Sequence, residues 1–194
     1  AQGHHPTRPA RQAMSDQAPP VTRPNPRARW RRWLGNALMV AGVLVAVSWW
    51  QARDVPGGPA PALAAPTTDG RVLTLAQWRA AHPGQPVALH FWADWCPICK
   101  LEEHSIGRVA GDAPVLGVAM QSGSGANVAR VMAQRGLGWP TLVDADGSQA
   151  RAWGVHAVPA FIVIAPDGRI SSASVGYTTE IGMRLRLWWA GWRG

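Results

Sequence analysis

Apolar and polar positions divide the 194-residue chain into three regimes. Residues 1–33 are polar and basic, carry Pro6, Pro9, Pro19, Pro20, Pro24 and Pro26, and show no apolar period. Such a segment cannot bury enough surface to offset its ordering entropy, so it reads as a disordered arm. Residues 34–50 are the opposite, 17 positions without a charge. As a helix they span ~26 Å, at the short end of what crosses a bilayer. Residues 51–66 form a Pro/Ala/Gly stretch, expected to be a partly extended linker. From residue 67 to the end, short apolar runs alternate with amphipathic ones, and this part reads as a single folded domain.

Within that domain the pattern predicts a definite order of elements. A short strand at Val72 and Leu73 leads to Thr74, which caps a helical turn through Trp78 and Ala81. PVALHFW, residues 86–92, is a nearly continuous apolar run of the kind covered on both faces. Residues 97–109 follow as a helix with Pro97 in its first turn. Residues 115–120 form another buried strand, and residues 126–135 a helix closed by Gly136. Residues 161–164 and 169–175 are strands joined by a turn at Pro166-Asp167-Gly168. Thr178 or Thr179 caps a last helix, whose Ile181, Leu185, Trp188 and Trp192 recur at spacings of four, three and four as its apolar stripe. Crossover connections followed by a hairpin predict an α/β fold with a mixed central sheet flanked by helices.

Charge changes the reading of the amino-terminal part. Residues 1–53 hold eight Arg against Asp16, whereas the rest of the chain is almost balanced, so the net charge of +8 belongs to the arm. A near-neutral folded part offers no phosphate-binding face, which argues against nucleic acid. Arg27, Arg29, Arg31 and Arg32 precede the apolar run, and Trp30, Trp33, Trp49 and Trp50 bracket it as interfacial belts would. The positive-inside rule keeps the arm in the cytoplasm and exports everything after residue 50. A buried helix of a soluble protein would not carry these Arg- and Pro-rich flanks. A cleaved signal peptide would have to use Ala60-Pro61-Ala62, which lies well past the apolar core among prolines. The expectation is an uncleaved transmembrane anchor at 34–50 in a bacterial inner membrane, with the domain in the periplasm. Met14-Ser15-Asp16 reads as a start of translation, which would make residues 1–13 an upstream extension.

Only two cysteines occur, Cys96 and Cys99. A disulfide scaffold needs more of them, and a zinc site needs two further ligands that no nearby motif supplies. Cys96 follows a buried strand and opens a helix, where unpaired N–H groups and partial positive charge stabilise a thiolate. Cys96 is therefore the candidate nucleophile and the more exposed of the two. Cys99, one turn on, is the resolving thiol. Pro97 and Ile98 tune the pair, and Trp92 and Trp95 either shape the rim or pack as core. Glu102 and Glu103 are candidates for a proton relay to Cys99, or else a solvated helix face. Asp94 either tunes the thiolate or is solvated. His90 reads as a hydrogen-bonded core residue, and His104 and His156 show no metal-ligand spacing. A Cu(I)-binding module using the same two thiolates is the alternative class. No cofactor is implied, since there is no CxxCH for haem. A peroxidase would need a Thr-bearing loop with its own reactive Cys, which is absent.

FWADWCPICK resembles the active-site strand and helix of the thioredoxin superfamily. With DGR…LTLAQW ahead of it, the match is to the exported, membrane-anchored branch that includes the TlpA, ResA and cytochrome-c-biogenesis thioredoxins. The tail GYTTEIGMRLRLW is similar to the suppressor-for-copper-sensitivity protein D group. The resemblance covers residues 67–194. It implies a thioredoxin-like fold, a redox-active disulfide between Cys96 and Cys99, and a cis-proline at Pro159 whose neighbour Val158 docks a substrate chain. It further implies protein thiol or disulfide substrates and a membrane protein that donates or accepts electrons. A reducing role in cytochrome c maturation or copper stress is what the anchored branch mostly implies, with an oxidising role left open. Ile98 and Ala165 depart from the residues usual in these relatives, Pro at the second middle position and an acidic side chain, respectively.

Overall fold

Six strands make the sheet on which the site is built, in the order β1 (Gly58–Pro59), β8 (Arg169–Val175), β7 (Ala160–Ile164), β4 (Val87–Trp92), β5 (Val115–Met120) and β6 (Thr141–Asp144). The computed structural model describes residues 26–193. Helix α1 runs Pro26–Ala52, and the remaining elements are β1 Gly58–Pro59, β2 Ala64–Pro66, β3 Val72–Thr74, α2 Leu75–Ala80, β4 Val87–Trp92, α3 Pro97–Asp112 and β5 Val115–Met120. They continue with α4 Gly125–Arg135, β6 Thr141–Asp144, α5 Ser148–Ala152, β7 Ala160–Ile164, β8 Arg169–Val175 and α6 Glu180–Arg193. Residues 41 onward form one compact unit, and the earlier part of α1 belongs to a separate one.

The parallel pairs β4–β5 and β5–β6 come from crossovers, and β7 and β8 add antiparallel strands on the other side of β4. All residues of β4, β5, β6 and β7 are buried, as largely apolar strands covered on both faces are, with His90, Thr141 and Asp144 the polar exceptions. One core, with Phe91, Leu116, Leu142, Trp153 and Ile162, fills one set of inward positions. A second, with Ile106, Val109, Phe161, Met183 and Leu187, gathers residues of α3 and α6 with others from the sheet. The predicted α/β fold is therefore observed, and most elements fall within a residue or two of expectation. Strand β6 and helix α5 were not foreseen: TLVD is short, and α5 follows a turn at Gly147 (φ 72°) with its first N–H groups accepted by the Asp146 and Asp144 carboxylates rather than by an N-cap side chain.

Three expectations change. Residues 51–66 are not a free linker. Val55, Leu63 and Ala65 are buried, Gly58–Pro59 pairs with Arg169 and Ile170, and Ala64–Pro66 pairs with β3. The prolines are tolerated because these are edge strands, where a missing N–H costs no ladder bond. Gly154 makes room for the incoming chain: its φ is +66°, and a Cβ there would lie 1.9 Å from the Asp54 carbonyl oxygen. The folded domain thus begins near Val55, not at residue 67.

Residues 26–33 are helical, whereas the arm 1–33 was expected to be disordered; its residues 1–25 lie outside the described residues. Pro26 opens α1, where its fixed φ suits a first turn and its missing N–H is not needed. Among the described residues, no helix is long and apolar enough to cross a membrane.

The third change is in α6. Its core-facing residues are Met183, Leu187 and Ala190, while the stripe expected to pack, Ile181, Leu185, Trp188 and Trp192, is exposed. The helix is apolar on two opposite sides. Contacts with α3, namely Arg108 to Glu180 at 2.7 Å and Arg184 to Asp112 at 2.8 Å, accompany the orientation adopted.

Candidate active site

Strand β4 ends at Trp92, and the chain turns through Ala93-Asp94-Trp95 into α3. Cys96 is the N-cap of that helix, with extended φ and ψ of −82° and 112°. Its Sγ accepts the backbone N–H of Cys99 at 3.1 Å, one of the donors that a helix start leaves without a backbone partner. Pro97, at the first helical position, removes a donor that would have had no partner anyway. Cys96 and Cys99 are joined in a disulfide, their Cα atoms 5.3 Å apart. The sulfur sits at the positive end of a helix of 16 residues, and once the bond is reduced that field favours a thiolate at Cys96.

Exposure separates the cysteines less than expected. Cys96 is 3% exposed and Cys99 1%. Both belong to a small cluster with Trp92, Ala119, Val128 and Val143, which Val158 covers in part. Trp92 is therefore core. Trp95 is exposed at the rim, its indole N–H donating to the Gln121 carbonyl at 3.1 Å. Pro97 and Ile98 are exposed beside it. Across the sheet, the Val158 carbonyl oxygen lies 3.7 Å from Cys96 Sγ, and the Val158–Pro159 peptide is cis. Ala165 is buried at the far end of β7, so no acidic group occupies that position.

The two glutamates part company. Cys99, Glu102, Ile106 and Val109 make up the buried face of α3, and Glu102 is only 1% exposed. Its Oε1 accepts the Thr178 backbone N–H, and its Oε2 lies 3.8 Å from His90 Nε2, itself buried. His90 has no hydrogen-bond partner within the protein, so the expected hydrogen-bonded core histidine is instead the neighbour of a buried carboxylate. Glu103, 100° around the helix, pairs with Arg135 at 2.9 Å. Asp94 is half-buried, its carboxylate accepting from Asn127 at 3.2 Å and its carbonyl from Arg135 at 2.8 Å. His104 and His156 are exposed, and among the described residues no group of three His, Cys, Asp or Glu could hold a metal.

Sequence reasoning missed the residues that brace the rim: Gln121, Ser122, Asn127 and Arg135. Ser122 Oγ accepts the Asp94 N–H at 3.0 Å, and Asn127 donates to both Asp94 and the Ser122 carbonyl. Gln121 has a φ of +50°. Nothing local in the sequence marks it, because its carbonyl is called on by an indole 26 positions earlier.

Fold and dithiol together define a thioredoxin-like thiol–disulfide oxidoreductase. Residues 56–173 match the model of the AhpC/TSA family, and the chain belongs to that family. Among curated proteins it is similar to a thiol:disulfide interchange protein DsbE homolog of Paracoccus denitrificans, 30% identical over 145 residues, 70% of this chain and 79% of the relative. It is also similar to a thioredoxin-like protein of Haemophilus influenzae, 29% identical over 107 residues, 55% of this chain and 64% of that protein's length. Among solved structures, a secreted Mycobacterium tuberculosis disulfide oxidoreductase homologous to E. coli DsbE superposes with a TM-score of 0.54 at 26% identity. It covers 64% of this chain and 93% of its own.

Proposed function

We propose that the chain exchanges disulfides with exported proteins as a reductase, held to the bacterial inner membrane by residues 34–50 with its domain in the periplasm, in the manner of the suppressor-for-copper-sensitivity protein D group. The observation that carries the chemistry is the Cys96 sulfur, which accepts a helix-opening N–H at 3.1 Å while bonded to Cys99. After reduction, the Cys96 thiolate attacks a substrate disulfide, forms a mixed disulfide and releases one substrate sulfur as a thiolate. Cys99 then gives its proton to Glu102 and attacks Cys96, regenerating the Cys96–Cys99 bond and releasing the second substrate sulfur. Glu102 suits this role better than Glu103, which Arg135 already engages. Val158 and Pro159, with Trp95, Pro97 and Ile98, form the edge along which an extended substrate chain lies. A membrane dithiol protein supplies the two electrons that reopen the disulfide.

Support for export comes from relatives described as secreted or as thiol:disulfide interchange proteins. Support for the anchor comes from the sequence, where 17 uncharged positions, 34–50, follow Arg27, Arg29, Arg31 and Arg32 and are bracketed by Trp30, Trp33, Trp49 and Trp50. Acid quenching of cells followed by thiol alkylation tests the direction of electron flow. Reduced Cys96 and Cys99 in the steady state support the reductase, and a persistent disulfide overturns it in favour of an oxidant.

A further inference from the structure

His90 is a buried titratable group that the exchange steps leave unused. It lies within β4, 1% exposed, and among the described residues neither ring nitrogen has a hydrogen-bond partner. An imidazole always carries at least one N–H, and burying it unpaired costs stability that a phenylalanine ring would not. The surrounding core does not meet that need. Phe161 pairs with His90 across the β4–β7 ladder and Gly117 across the β4–β5 ladder, and the Trp139 indole stands edge-on with ring centroids 6.2 Å apart.

The polar group that does approach is a carboxylate. Glu102 Oε2 lies 3.8 Å from His90 Nε2, just beyond hydrogen-bond reach, and Glu102 is as buried as the histidine. The other carboxylate oxygen is already fixed, since Oε1 accepts the Thr178 N–H. The Thr178 hydroxyl is bonded to that of Ser174. Cys99 lies three residues before Glu102 on the same buried face of α3. One carboxylate therefore neighbours the resolving cysteine along the helix and the imidazole on the sheet.

A buried carboxylate that is to take a proton must first be an anion, and an anion in this core needs a donor on each oxygen. Thr178 supplies one. As its Nε2–H tautomer, His90 supplies the other without bringing a charge of its own.

We propose that His90 is the positioning residue of Glu102, its Nε2–H holding the carboxylate as the anion that receives the Cys99 proton. The inference rests on Glu102 being the proton acceptor in the release step. There Cys99 gives its proton to the carboxylate, and the electron pair left on its sulfur forms the bond to Cys96. The bond from Cys96 to the substrate breaks, and its electron pair leaves on the substrate sulfur. Negative charge thus passes from the buried carboxylate to the departing thiolate. When the membrane dithiol reopens the Cys96–Cys99 bond, the proton returns from Glu102 to Cys99.

The test measures capture and release of a peptide with one internal disulfide by stopped flow. It uses the reduced full chain, His90→Phe, His90→Gln, Glu102→Gln and the double variant of His90→Phe with Glu102→Gln. Phenylalanine keeps a ring in the core but has no donor, whereas glutamine places an N–H at about the reach of Nε2. His90→Phe should slow release about tenfold with capture unchanged, and His90→Gln should stay within about threefold of the native rate. In the Glu102→Gln background, His90→Phe should add nothing. Unchanged release in His90→Phe, equal slowing by Phe and Gln, slowing of both steps alike, or a further loss in the double variant overturns the role of His90. The ¹⁵N resonances of His90 in the reduced native chain give a second measurement that needs no variant to fold. A proton on Nε2 is expected, and an Nε2 without one overturns the inference. Release left unchanged by Glu102→Gln overturns Glu102 as the acceptor and His90 with it, and a native chain that captures no peptide overturns the exchange itself.

Discussion

The Val158 carbonyl oxygen stands 3.7 Å from the sulfur of Cys96, although 62 residues of chain separate them. That proximity joins the start of β7 to the start of α3 and gives the reactive sulfur a peptide edge on which a partner chain can lie. In a Cys99→Ser variant, the partner captured along this edge can no longer be released by the second thiol. Mixed disulfides through Cys96 should therefore accumulate on non-reducing gels, and Cys96→Ser should form none.

Glu102 and Glu103 should answer differently to the same change. Glu102→Gln keeps an oxygen to accept the Thr178 N–H but loses the ability to take a proton from Cys99. Release of the mixed disulfide should slow by up to about 100-fold, with substrate capture unaffected. Glu103→Gln removes only the pair with Arg135 and should alter either step by less than about threefold, as partly exposed pairs are weak. Stopped-flow kinetics of the two steps make the comparison.

Gly154→Ala tests where the domain begins. The new Cβ would meet the Asp54 carbonyl in a backbone conformation that L-residues rarely adopt. The change should cost more than about 1 kcal/mol and lower the thermal midpoint. It should also make the 54–57 stretch a site of protease cleavage, whereas a true linker there would be cut equally in both proteins.

The α3–α6 seam should be sensitive to acid. Hydrogen bonds from Arg108 and then Arg184 hold the Glu180 carboxyl below its ordinary value of 4.5. A carboxyl depressed in the folded state stabilises above its unfolded value, and that contribution is lost as pH falls through the folded one. Thermal midpoints of the native chain and Glu180→Gln should therefore differ above pH 4.5 and converge below it.

The sequence made the dithiol legible because its signal is local: an apolar strand, a Pro in the first turn and two cysteines one turn apart. Which glutamate is buried was not legible. Adjacent helix positions differ by 100°, and only the packing of Ile106 and Val109 decides which points inward. The α6 stripe misled for a related reason. Met183, Leu187 and Ala190 are as regular as Ile181, Leu185 and Trp188, and a period cannot say which face meets the sheet. In the presumed linker, Val55, Leu63 and Ala65 are isolated among prolines, and their partners lie far along the chain. The residues that brace the rim depend on contacts 26 to 41 positions apart.

Every step of the exchange depends on the start of α3 stabilising the reduced Cys96 sulfur as an anion. Ultraviolet titration of the reduced Cys99→Ser protein, with reduced Cys96→Ser as the reference, measures this directly. Cys96 should ionise well below the ordinary thiol value of about 8.5, and Cys99 should not. A Cys96 that titrates at or above that value would contradict it.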